Sequence, residues 1–254
     1  MASAPKHATF SLLALVALVA CGSDSSGPTH AVPVPSQAQF SFAHSEWSTP
    51  VNVGAPVNST AGEMNAALSP DELSLYLTSN RAGGLGITDI WVSHRDCGDC
   101  PWQTPVNLGA PINSSGQDAG PRLSIDGHLL FFQSDRLAGS GITDLYVSHR
   151  NNPNDDFGWE IPVLLGADVN TPIGSENAAD YLQSAEDGTG NLYFNRATPT
   201  SSPDLYFAPI KRDGQTRGPA TLVSELNDPS ATDQHATIRK DGKEIFFSSD
   251  RTGG

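Results

Sequence analysis

The residues whose types and spacing suggest chemistry are few. Cys97-Gly98-Asp99-Cys100 is a C-x-x-C, a spacing that serves a redox pair, half of a zinc site or a small disulfide. A zinc site needs four ligands, and the sequence holds no second C-x-x-C. Redox pairs open a helix beside a βαβ unit, and this one lies between short strand-like segments. A disulfide tightening the loop is expected, with reduced thiols as the alternative. Arg81 and Asp89, Arg136 and Asp144, and Arg196 and Asp204 are each eight residues apart. Each pair brackets a loop, so guanidinium and carboxylate are expected to staple it. The rival reading is a recurring acidic or metal site, but active sites rarely recur in every copy of a repeat. His94 and His149 share the context Val-Ser-His-Arg and are expected at exposed strand ends. No Gly-x-Ser-x-Gly elbow, EF-hand loop or recognisable pair of glycosidase carboxylates stands in the sequence. No catalytic, cofactor-binding or metal-binding residue is therefore assigned.

The third cysteine has a different context. Ser11 to Ala20 is an unbroken run of apolar and small residues, with one lysine, Lys6, before it. Ten residues make about 15 Å of helix, too short for a bilayer core of roughly 30 Å. The run reads as the apolar region of an export signal covering residues 1–20. It ends in Leu18-Val19-Ala20-Cys21-Gly22, which resembles the bacterial lipobox. The resemblance implies cleavage before Cys21, a diacylglycerol thioether on its sulfur, and lipid anchoring in the cell envelope. Gly22 after the cysteine, where aspartate favours the inner membrane, leans toward the outer membrane of a Gram-negative host. Residues 21–38, rich in Gly, Ser and Pro, read as a flexible tether.

The elements that must position these residues come from a repeat. Trp47-Ser48-Thr49-Pro50-Val51-Asn52 recurs as Trp102-Gln103-Thr104-Pro105-Val106-Asn107, as Trp159-Glu160-Ile161-Pro162-Val163-Leu164, and in drifted form around Pro219. The prolines at 50, 105, 162 and 219 are spaced by 55, 57 and 57 residues. The expected repeats cover about 47–101, 102–158, 159–217 and 218–254, within a repeat region of 39–254. Each copy continues with a turn such as Leu68-Ser69-Pro70-Asp71 or Asp126-Gly127, then an apolar strand such as Leu130-Phe131-Phe132. Asp-Gly between apolar runs favours a hairpin, because both residues tolerate positive φ. A Gly- or Pro-rich loop and a further strand, such as Asp89-Ile90-Trp91-Val92-Ser93, complete the unit. About four antiparallel strands in some 56 residues, with no helical period, describe one blade of a β-propeller.

The sequence Leu-Ser-Pro-Asp, then Leu75-Tyr76-Leu77-Thr78-Ser79-Asn80-Arg81, then Asp89-Ile90-Trp91-Val92-Ser93, resembles the TolB-type β-propeller repeat. The resemblance covers nearly everything from Trp47 to Gly254. It implies an all-β propeller with about three complete four-stranded blades and part of a fourth. It also implies a six-bladed ring that this chain holds in part, with a four-bladed ring as the alternative.

Composition narrows the partners. The formal charge of −14 repels phosphate, which argues against nucleic acid. The expectation is a lipid-anchored propeller that binds an envelope protein or a glycan, touches the membrane through its anchor, and has no catalytic activity of its own. The alternative is the gating half of a prolyl-oligopeptidase-like serine peptidase.

Overall fold

The computed structural model describes residues 49–136 and 141–252. By its contacts the chain divides into residues 1–50 and 51–254, and the fold below is that of the second unit. The expected signal, the lipidation residue Cys21 and the tether lie outside the described residues.

Fourteen strands and no helix are found among the described residues. They form three four-stranded antiparallel sheets and one pair of strands. The first sheet is β1 (Glu63–Leu68), β2 (Ser74–Ser79), β3 (Asp89–His94) and β4 (Val106–Asn107). The second is β5 (Asp118–Leu123), β6 (Leu129–Ser134), β7 (Asp144–His149) and β8 (Val163–Leu164). The third is β9 (Ser175–Gln183), β10 (Gly190–Thr198), β11 (Ser201–Ile210) and β12 (Thr221–Leu222). The pair is β13 (Asp233–Ile238) with β14 (Ile245–Ser249). Strand order follows the chain in every sheet, and the first strands β1, β5, β9 and β13 are the ones that meet from sheet to sheet. These are blades of a β-propeller arranged around their first strands. The segments that head the second, third and fourth sequence repeats, at Pro105, Pro162 and Pro219, supply the outermost strands β4, β8 and β12 of the blades before them.

The blades stack because their second strands are apolar on both faces. In β6, Leu130 and Phe132 pack toward the first blade with Tyr76, Ile90, Val92 and Trp159. Leu129 and Phe131 alternate to the other side, against Leu192, Phe194, Ala208 and Ile210 of the third. This is the period of two of a strand buried between two layers. Phe131 and Phe132 are fully buried, each worth about 1.5–3 kcal/mol of apolar transfer.

Each innermost strand carries a bulge with one residue at positive φ: Asn65 (52°), Gly120 (65°), Ala178 (53°) and His235 (55°). The extra residue leaves a backbone N–H outside the ladder. In three blades a side chain of the preceding blade accepts it. Gly120 donates to Thr78 Oγ1 at 3.0 Å, Ala178 to Gln133 Oε1 at 2.8 Å, and His235 to Asn195 Oδ1 at 3.3 Å. The bulges thus stitch neighbouring blades while turning the strands around the axis.

Candidate functional site

The expected Arg/Asp staples are built differently from the sequence reading, and the pairing is corrected here. Arg81 pairs with Glu63 at 3.0 Å, not with Asp89. Arg136 pairs with Asp118 at 2.6 Å, not with Asp144, and Arg196 with Glu176 at 2.9 Å, not with Asp204. Arg251 repeats the contact with Asp233. Arg81, Arg136 and Arg251 follow a second strand and Arg196 lies near the end of one, and each acid stands at the start of the innermost strand beside it. The guanidinium also lies over an aromatic ring, as Arg136 does over Tyr146 at 4.9 Å. Asp89 turns instead to its own loop, accepting from Gly86 N–H at 3.2 Å and from Asn107 Nδ2 at 3.1 Å. Asp144 likewise accepts from Gly141 N–H at 3.0 Å. Asp204 faces Arg196 in the β10–β11 register, and burial, then the charge of Asp233, raises its carboxyl above the ordinary range. These residues hold loops and blades. Cys97 and Cys100 are joined by a disulfide across a Cα separation of 4.9 Å.

Two clusters escaped sequence reasoning. Arg150, fully buried, lies 4.3 Å over Trp159 and donates to Gly127 O at 2.7 Å and to Tyr76 OH at 3.0 Å. Arg95 repeats the stack on Trp102 at 4.5 Å. The shared signal was Val-Ser-His-Arg followed by Trp. Beside Arg150, Ser74 Oγ lies 3.3 Å from His94 Nδ1 and donates to Asp156 Oδ2 at 2.6 Å. Asp156 also accepts from Tyr76 OH at 2.7 Å. This is not a nucleophile relay, because the carboxylate holds the serine hydroxyl where a relay needs it to orient the histidine. The cluster ties the 150–158 loop of the second blade to the first. His149 stacks on His128 with centroids 6.0 Å apart.

The chemistry concentrates on the propeller axis. Where the innermost strands end, a cavity of about 320 Å³ opens, reached by Glu72 from the first blade, Arg122 from the second, Asp180, Tyr181 and Gln183 from the third, and Lys240 from the last. Arg122 Nε lies 3.3 Å from Asp180 Oδ1, and its Nη1 donates to Ala66 O at 3.1 Å. Asp180 Oδ2 accepts from Ile238 N–H at 2.6 Å. Burial raises the Asp180 carboxyl above its ordinary range, and the Arg122 charge and backbone N–H bonds offset only part of that. Tyr181 is pushed up too, first by burial and then by the charges of Asp126 and Asp187. Gln183 bridges to the second blade, its Nε2 donating to Asp126 Oδ2 at 2.9 Å. A pocket that joins a desolvated carboxyl to a specific cation is a place where proton chemistry can occur. Two residues after each bulge the four blades carry Ala67, Arg122, Asp180 and Thr237, so the charged pair occupies equivalent positions and departs from the repeat. That departure was the signal in the sequence. No cluster of three metal-ligating side chains is found among the described residues.

No family profile and no curated protein matches the sequence. Several solved structures are similar in shape. An α-L-arabinofuranosidase from Lactobacillus brevis is 14% identical, with a TM-score of 0.46 over 65% of this chain and 56% of that one. An endo-arabinase from Bacteroides thetaiotaomicron is 19% identical, with a TM-score of 0.47 over 71% of this chain and 66% of that one. An α-L-arabinanase from Penicillium chrysogenum is 17% identical, with a TM-score of 0.49 over 74% of this chain and 58% of that one. The chain spans between 56% and 66% of the length of these three proteins. A likeness at this level goes no further than the blade architecture. Against the expectation of a propeller without catalytic activity, the similar structures are by name an arabinofuranosidase, an endo-arabinase and an arabinanase, and that expectation is withdrawn.

Proposed function

We propose that the axial cavity binds a sugar-sized, hydroxyl-rich ligand and that the chain acts on a glycosidic bond there, with Asp180 as the proton-holding carboxyl. The observation that carries this reading is Asp180 itself, desolvated at the cavity wall, raised above the ordinary carboxyl range, and placed by Arg122 and the Ile238 N–H. Glycoside hydrolysis needs a carboxyl that still carries its proton when it meets the leaving oxygen, and a second carboxylate. Glu72 supplies another carboxyl in the same cavity. Lys240 and Gln183 bring donors for hydroxyl groups, and Tyr181 brings an aromatic ring. A panel of arabinan, arabinoxylan and nitrophenyl arabinosides tests the reading by release of reducing ends or nitrophenol. Asp180→Asn is expected to lower any rate at least a hundredfold while still unfolding in one cooperative transition. No release from the whole panel, or full activity in Asp180→Asn, overturns it.

The chain is placed in the cell envelope, acylated at Cys21. The support is Leu18-Val19-Ala20-Cys21 after a short apolar run. Labelled palmitate incorporated by the native sequence and lost in Cys21→Ser is the expected result, and an unlabelled soluble product refutes it. The TolB-type reading of the repeat rests on Leu-Ser-Pro-Asp and Asp-Ile-Trp-Val-Ser and joins these proposals.

A further inference from the structure

Bases are scarce in this chain, 14 against 28 acids, so a cation without a partner is the exception. Arg81, Arg136 and Arg251 hold acids, and Arg95 lies on Trp102. Among the described residues the cations with neither an ion pair nor an aromatic ring are Lys211, Arg212, Arg217, Lys240 and Lys243. All stand in two turns of the rim where the axial cavity opens, 211–217 after β11 and 239–244 between β13 and β14.

Arg217 and Lys240 line one further cavity. It measures about 380 Å³ and adjoins the axial cavity, with which it shares Leu182, Gln183 and Lys240. Gly242 seats the second turn on β9, since a Cβ there would stand 3.2 Å from Leu182 Cδ2. Asp241, the acid on the cavity wall, is already engaged: its Oδ1 accepts from Arg239 Nε at 2.8 Å and from Lys243 N–H at 3.1 Å. Asn191 also lines the cavity, and its amide has no hydrogen-bond partner among the described residues. Two free cations and a free amide thus border a space that adjoins the one holding Asp180.

We propose that this second cavity takes the carboxylate of an acidic sugar, so that the glycan acted on at Asp180 carries a uronate beside the bond that is cut. The proposal rests on the reading of Asp180 as the proton-holding carboxyl. The planar guanidinium of Arg217 matches a carboxylate with two parallel N–H bonds, and the Lys240 ammonium adds a point charge where the two cavities meet. The Asn191 amide suits the hydroxyl groups of the same ring. The net charge of −14 does not prevent this. Charges farther away than about 8 Å are largely screened at physiological ionic strength, so the ligand meets the local cations.

The test is binding of the full chain by calorimetry. The probes are short oligosaccharides of galacturonate and of glucuronate-substituted xylan, each compared with the same sugar after reduction of its carboxyls to alcohols. Wild type is expected to bind an acidic form about tenfold more tightly than its reduced form, the worth of a hydrogen bond to a charged group. Arg217→Gln is expected to bring the two forms within about twofold of each other. Lys243→Gln removes a cation of the same two turns that does not line the cavity, and is expected to keep the preference. No preference for any acidic form, a preference kept in Arg217→Gln, or an equal loss in Lys243→Gln overturns the proposal. A sulfated neutral oligosaccharide bound as tightly as the uronate assigns the cations to a sulfate ester and overturns it too. Binding is read apart from turnover, so the two readings fail separately. A preference lost in Arg217→Gln without cleavage of any sugar leaves the uronate site and ends the role of Asp180. Cleavage of neutral arabinosides without the preference leaves Asp180 and ends the uronate site.

Discussion

Arg122 and Asp180 occupy the same place in consecutive blades, two residues after the bulge, and their side chains meet 3.3 Å apart at the wall of the axial cavity. In the blades on either side the equivalent residues are Ala67 and Thr237. A scaffold position that is a small neutral residue in the first and last blades is here a half-buried ion pair.

The raised Asp180 carboxyl makes stability depend on pH in a definite direction. The folded protein holds this proton more tightly than the unfolded chain does. The stabilisation is fully present below the ordinary aspartate value of 3.8 and is lost as the pH climbs through the raised folded value. Wild type is therefore expected to gain melting temperature relative to Asp180→Asn as pH is lowered from 7 toward 4. Melts of both proteins across that range check it, and the opposite trend means that the Arg122 pairing outweighs burial.

Arg150 is fully buried and holds Gly127 O, Tyr76 OH and Asp156 in one network. Arg150→Ala leaves those acceptors without their cation and is expected to cost about 3–5 kcal/mol. Lysine lacks the planar fork that stacks on Trp159 while bonding in three directions, so Arg150→Lys is expected to recover little. Denaturant midpoints of the two variants decide the matter.

Asn170 closes a recurring clamp. Its Oδ1 accepts from Leu145 N–H at 2.8 Å and its Nδ2 donates to Leu145 O at 2.9 Å. Asn113 does the same to Ile90, and Asn227 to Leu205. Asn170→Ala leaves a buried strand end unsatisfied and should cost about 2 kcal/mol. Asn227 is only half-buried, so Asn227→Ala should cost less, and equal losses in urea unfolding contradict this account.

Gly86 lies where the first blade touches the second. A Cβ added there would stand 1.9 Å from Gly116 O, while one added at Gly166 meets nothing within 4 Å. Gly86→Ala is expected to lower stability by about 1–3 kcal/mol and Gly166→Ala to leave it nearly unchanged. Paired thermal melts separate the two.

The Cys97–Cys100 ring is short, so its removal should be mild. Loop-closure entropy for so few residues gives about 2 kcal/mol for the double change to serine. A shift no larger than this in the denaturant midpoint, reproduced by adding reductant to wild type, is the expected result.

The strands and their turns were legible in the sequence because they are set by neighbours along the chain. Alternation in Leu129-Leu130-Phe131-Phe132 fixes two buried faces, and Asp-Gly or Pro-Asp places the turns. The repeat then gave the blades by multiplication. What the residues touch was decided elsewhere. Arg81 and Asp89 bracket one loop, so proximity along the chain suggested that they pair. Glu63 lies on the adjacent innermost strand, and antiparallel pairing carries it to the same end of the blade, closer to the guanidinium. Arg122 and Asp180 are 58 residues apart, and neither belongs to a motif. They meet because successive blades turn about one axis and bring equivalent residues of their first strands together. A local pattern cannot express that distance, and only the closing of blade against blade determines it.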